Sequence, residues 1–151
     1  MAYKTGFTIR ERGKAAFSAL FLAGKELVSN LVFTFAAGAA NVGTIKIQAV
    51  NKDGNPIAGV FNFRVWLSDA ATGIGLCVAV PSGTVQAKAA SGTVLGVLTT
   101  KKVLDVTTLA DGSFTLEITD AAKSLVYVAA SNPTTGLAVV SRKLVAGDYG
   151  A

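Results

Sequence analysis

Apolar and polar residues alternate with a period of two through much of this chain. Between residues 44 and 50, Ile45, Ile47 and Ala49 alternate with Lys46 and Gln48. Between 61 and 68, Phe61, Phe63, Val65 and Leu67 fall on one face, and Asn62, Arg64, Trp66 and Ser68 fall on the other. That period marks half-buried β-strands. Asp53-Gly54-Asn55-Pro56 lies between the two runs. It supplies glycine for positive φ, an Asn side chain that bonds locally and a proline that fixes φ. Residues 44–69 therefore read as a hairpin of strand, tight turn and strand. A second hairpin signal follows at 109–119, where Asp111-Gly112 precedes an alternation of Phe114, Leu116 and Ile118 with Thr115, Glu117 and Thr119.

Further strands are predicted at 31–38, 84–90, 93–100, 103–107, 125–130 and 137–145, separated by Gly, Pro, Ser and Asn clusters, and 74–80 is an apolar run closed by Pro81-Ser82-Gly83. Eight or nine short strands with turns every 8–12 residues describe an all-β sandwich or barrel. No long helical pattern intervenes, which argues against a parallel α/β fold. The expectation is one β-sandwich domain over residues 31–151, immunoglobulin-like first and jelly-roll second. The closing GDYGA should be loose or contact a partner.

Residues 1–30 have a different grammar. Arg10, Arg12 and Lys14 precede AAFSALFLAG, which superficially resembles the basic and apolar regions of a secretory signal. The apolar run is short, Glu11 sits among the basic residues and no small-x-small site follows before Lys25-Glu26. A short amphipathic helix or ordered arm fits better. Phe17, Leu20, Phe21, Leu27 and Val28 fall on one helical face, and Gly24 weakens it. Such an element packs either on its own sandwich or on a neighbouring subunit.

Composition narrows the function. Hydrophobic residues make up 51% and charged residues 15%, which excludes a disordered chain and suggests apolar surface covered by a partner. There is no histidine, so the usual near-neutral acid/base and every Ser-His or Cys-His arrangement are missing. The single cysteine, Cys77, has no partner within its own chain for a disulfide, and in GLCVAV it reads as a small buried hydrophobe. The net charge of +5 divides unevenly: residues 1–30 hold five basic against two acidic groups, the remainder nine against seven. A basic leader suits an acidic surface, but it lacks the interleaved aromatics of a specific nucleic-acid site.

No constellation points to catalysis. Asn51, Asp53 and Asn55 alternate as calcium ligands do, but no bidentate Glu follows, and the turn reading prevails. Gly73-Ile74-Gly75 lacks the further glycine and helix of a dinucleotide loop. The acids do not form a sequence-evident pair of the glycosidase kind. Lys101-Lys102 and Arg142-Lys143 read as solvated strand ends or edge protection. The candidate interaction residues are Arg10, Arg12, Lys14, Phe17 and Phe21 in the arm, and Asn62, Arg64 and Trp66 on the outward face of their strand. A Trp beside an Arg has the composition of a binding hot spot. The competing reading buries Trp66 in an immunoglobulin-like core behind a β-bulge.

Two motifs carry a resemblance. DGNPIAGVFNFRVWLSD is similar to the opening of bacterial and viral immunoglobulin-like modules, and ADGSFTLEITD to their later Asp-Gly strand. With the leader GFTIRERGKAAFSAL and the end VSRKLVAGDYG, the chain resembles a group of small structural proteins of tailed bacteriophages. The resemblance implies a non-enzymatic virion component made in the host cytoplasm, of the capsid decoration or cement type, with no cofactor. Its partners would be the major capsid protein or other virion proteins and further copies of itself, with neither specific nucleic acid nor membrane. The alternative is a tail, fibre or spike module binding a host glycan or receptor.

Overall fold

A computed structural model describes residues 27–151. The expectations that rest on Arg10, Arg12, Lys14, Phe17 and Phe21 lie outside those residues. Nine strands form two antiparallel sheets: β1 Asn30–Ala37, β2 Val42–Val50, β3 Asn62–Ser68, β4 Val85–Ala87, β5 Thr93–Thr99, β6 Val103–Thr107, β7 Ser113–Thr119, β8 Tyr127–Ser131 and β9 Ala138–Lys143. One sheet has four strands in the order β1-β2-β7-β4, the other five in the order β5-β6-β3-β8-β9. The expected all-β sandwich is the fold.

Spatially, this is the strand layout of a variable-type immunoglobulin sandwich. The threading differs, and so does the jelly-roll alternative, whose eight strands form two Greek keys. In an immunoglobulin domain the chain extends the larger sheet with two strands before crossing to the smaller sheet. Here β4 crosses first, and the hairpin β5–β6 then returns to the larger sheet in the reverse order.

Both predicted hairpins are in fact crossings between sheets. β2 pairs with β1 and β7, whereas β3 pairs with β6 and β8. Similarly, β6 belongs to the larger sheet and β7 to the smaller. The turn chemistry itself is present. Asn51 Oδ1 accepts from the backbone N–H groups of Asp53 and Asn55 at 3.0 Å. Gly112 takes φ 76°, and a Cβ there would lie 2.0 Å from the Ile57 carbonyl oxygen. That close approach locks the two crossings together: Ala49 N–H donates to Gly112 O and Gly59 N–H to Ala110 O. The true hairpins are β1–β2, β5–β6 and β8–β9.

The alternation defines the core as expected. Ile45, Ile47, Phe114, Leu116 and Ile118 face Val65, Leu67, Leu104, Val106 and Val128, all buried. Phe63 of β3 and Phe114 of β7 meet edge to face at 6.2 Å, an aromatic contact directly between the sheets. Both ends of the described chain are held to the body. Residues 27–29 enter β1 without a helical turn, and Val28 belongs to the core. The C-terminal residues are not loose. After a 3-10 turn at Ala146–Asp148, Tyr149 is buried against the core, its hydroxyl donating to Ser124 O at 2.8 Å. Arg142, exposed on the edge strand β9 as expected, pairs with Asp148 and lies over the Phe35 ring at 4.0 Å, so this edge charge is also held in place by partners.

Candidate interaction surface on the five-stranded sheet

Strand alternation sends Phe63, Val65 and Leu67 inward and therefore Asn62, Arg64 and Trp66 outward, onto the central strand of the larger sheet. Arg64 stands directly opposite Asp105 of β6. Its guanidinium grips the carboxylate with two bonds, Nε to Oδ1 at 2.8 Å and Nη2 to Oδ2 at 3.2 Å. These hydrogen bonds hold the Asp105 carboxyl below its ordinary range and raise the Arg64 guanidinium. Both groups remain partly exposed, so the pair serves chiefly to orient a fixed fork of charge.

Trp66 is half-buried on this outer face, which removes the buried-core reading. It is not free either. Its Nε1–H donates to the Gly73 carbonyl at 2.8 Å. Ala129 lies beside it on β8 and is fully buried although it faces outward. The cover is the chain segment after β3. Gly73 takes φ 72°, and a Cβ there would come within 2.9 Å of Val140 Cγ2 and 3.2 Å of Ala129 Cβ. Glycine is required for both its φ and its lack of side chain. Trp66 therefore holds this segment down on the sheet.

Two shallow grooves meet at Arg64 and Trp66. The larger, about 590 Å³, adds Asn62, Leu95, Asp105 and Ser131. The smaller, about 370 Å³, adds Gly73, Leu76 and Val103. The three residues expected on this face are thus brought together with a carboxylate, a hydroxyl and aliphatic walls. Such a surface can hold a partner's polar side chains or a hydroxyl-rich ligand by stacking and bidentate hydrogen bonding.

The apolar run at residues 74–80 forms no strand. Gly73 and Gly75 both adopt positive φ and break the extended geometry. Only Cys77 of this run is buried, while Ile74 is 78% and Val78 86% exposed. The segment is tied down through its backbone. Cys77 N–H donates to Leu67 O at 2.8 Å, and Val78 N–H to the Asp69 carboxylate at 2.7 Å. Lys102 Nζ donates to the Cys77 carbonyl at 2.6 Å, and Lys101 Nζ to the Pro81 carbonyl at 3.1 Å. These lysines hold the crossing in place and are not merely strand-end charges. Sequence reading missed them, and also missed Asp105, because only the pairing register shows which residues stand opposite. Among the described residues no group of three His, Cys, Asp or Glu side chains is arranged to hold a metal ion.

The topology and this outer face define the chain as a two-sheet all-β sandwich with a polar and aromatic surface on its larger sheet. No family model matches the chain, nor does any curated protein or solved structure compared with it.

Proposed function

We propose that this chain is a non-enzymatic virion structural protein, a capsid decoration or cement subunit that stabilises a bacteriophage shell through contacts between subunits. The observation that carries the reading is apolar surface left uncovered on a well-packed body. Ile74, Val78, Val80, Leu95, Val97 and Leu137 are all exposed, while the core between the sheets is filled. Exposed apolar side chains in this number suit a protein whose neighbours complete its burial. A crossing segment tied down by hydrogen bonds gives such contacts a firm base, and repetition on a symmetric lattice lets individually weak contacts suffice. The basic residues of the leader suit an acidic shell surface, with an attraction that salt would weaken. The partners are the major capsid protein or other virion proteins, together with further copies of this chain.

The test is addition of the purified chain to pre-formed capsids of the host phage. Saturable binding and a raised temperature of capsid disruption are expected. Capsids that bind no chain and gain no resistance overturn the proposal. The groove at Trp66 favours one second reading, a tail, fibre or spike module that binds a host glycan or receptor. Its stacking surface and the Arg64–Asp105 fork match hydroxyl-rich ligands. Binding to a glycan array that disappears in Trp66→Ala and Arg64→Ala would support that reading over the first.

A further inference from the structure

We infer that the end of the sandwich crossed by residues 73–82 is a docking surface for an anionic lipid bilayer, entered by the aliphatic side chains of that segment. The inference goes beyond the proposed function and departs from the expectation of no membrane partner.

The segment runs from the end of β3 toward β4, flanked by the β5–β6 and β7–β8 connections. Lys101 and Lys102 of the first donate to carbonyls between Cys77 and Ser82. In the second, Asp120 accepts from the Ser82 N–H. Ile74, Leu76, Val78 and Val80 are nevertheless exposed, and so is Leu125 in the β7–β8 connection.

The backbone of the segment supplies the first argument. Val78 is 86% exposed, yet its N–H donates to the Asp69 carboxylate at 2.7 Å and its carbonyl accepts from Lys102 Nζ at 3.3 Å. The Cys77, Pro81 and Ser82 carbonyls also take a lysine ammonium, and the Gly73 carbonyl takes the Trp66 indole. A loop in water can leave such groups to solvent, whereas one that enters an apolar medium must satisfy them within the protein. Uncovered aliphatic side chains on a covered backbone suit a partner that excludes water.

Charge and residue type select lipid. The described residues hold nine basic and seven acidic groups. Five of the basic groups, Lys101, Lys102, Lys123, Arg142 and Lys143, lie at this end, against Asp69, Asp120 and Asp148. The other four and four cancel, so the excess positive charge of the body surrounds the aliphatic segment. Asp120 is buried and Asp148 is paired with Arg142. Protein hot spots favour Trp, Tyr and Arg, use Leu and Val less, and stand in interfaces depleted of Lys. Residues 74–80 hold no aromatic side chain, and four of the five cations are lysine. Aliphatic side chains beside lysines long enough to reach phosphate match the headgroup boundary of an anionic leaflet.

The experiment is co-sedimentation of the full-length chain with vesicles of phosphatidylcholine alone, and of an equimolar mixture of phosphatidylcholine and phosphatidylglycerol. The wild type is compared with Ile74→Ser/Val78→Ser and with Lys123→Glu/Lys143→Glu. Leu95→Ser/Leu137→Ser is the control on exposed apolar residues away from this end. Circular dichroism and thermal melting check that each variant folds. The wild type should bind the anionic vesicles at least about tenfold more tightly than the neutral ones, and added salt should weaken that binding. Each of the first two variants should lose about tenfold or more, and the control should bind as the wild type does. A wild type that binds neither vesicle overturns the inference, and capsid binding lost in Ile74→Ser/Val78→Ser would then return this surface to a protein neighbour. Vesicle binding unchanged in that variant also overturns it, by assigning lipid contact to the basic leader. Vesicle binding as expected without capsid binding removes the proposed function and leaves this inference standing.

Discussion

The indole Nε1 of Trp66 donates to the carbonyl of Gly73 at 2.8 Å, and this bond fastens the segment after β3 across the outer face of its own sheet. The chain's one tryptophan is thus both a structural clamp and part of the candidate interaction surface. Conservative and drastic substitutions separate the two roles. Trp66→Phe keeps most of the apolar cover and loses the hydrogen bond, so it should cost about 1 kcal/mol in urea denaturation. Trp66→Ala also uncovers Ala129 and should cost about 3 kcal/mol or more. A partner-binding defect in Trp66→Phe under conditions where that variant remains fully folded would assign the indole to recognition.

Asp120 predicts the response to acid. The residue is fully buried at the corner after β7. Burial alone would raise its carboxyl, but bonds from Ser124, Ser82 and Ala122 outweigh that effect and bring it down to about 2. A depressed carboxyl contributes stability above its unfolded pKa near 4 and loses it as the pH falls toward 2. The loss should amount to about 2 kcal/mol over that interval. Asp120→Asn should be less stable at neutral pH, with a shallower decline from pH 4 to 2. An unchanged slope in chemical denaturation across that range contradicts the assignment.

Tyr149 gives the opposite limb. Burial, with the nearby charges of Asp120 and Asp148, pushes its phenol up to about 12. The unfolded chain ionises near 10, so it binds fewer protons than the folded chain between pH 10 and 12, and stability falls with rising pH. The contribution is about 2–3 kcal/mol, and Tyr149→Phe should remove it. At neutral pH that variant loses only the bond to the Ser124 carbonyl, about 1 kcal/mol. Thermal melts of both proteins at pH 7 and pH 11 compare the two effects.

Cys77 reports on the crossing segment. Its side chain is buried, and burial pushes the thiol up, which suppresses the reactive thiolate. A thiol-specific disulfide reagent should react slowly with the native chain and quickly in urea. Trp66→Ala should accelerate the native reaction, because it loosens the segment to which the cysteine belongs. Equal rates in wild type and variant would show that Trp66 does not hold this segment.

Strand by strand, the fold was legible to the extent that local pattern controls it. Ile45, Ile47, Phe63, Val65, Phe114 and Leu116 alternate with polar residues, and burying one face of each strand demands a second layer. The outward position of Asn62, Arg64 and Trp66 follows from the same parity. The apolar composition of 74–80 did not show that the run lies largely exposed, where Gly73 and Gly75, both at positive φ, prevent a strand.

The sequence by itself determined the strand content, the inward faces and the positions of the turns, since each depends on neighbours a few residues away. Tertiary structure decided which sheet each strand joins. Asp111-Gly112 sets a turn whether the next strand pairs with the last or crosses to the other layer, and the contact of Gly112 with Ile57 exists only once both crossings are in place. The partners of Arg64 and Trp66, Asp105 and Gly73, were likewise decided there. One comes from the register between β3 and β6, the other from a segment folded back over the sheet, and neither relation leaves a local trace in the chain.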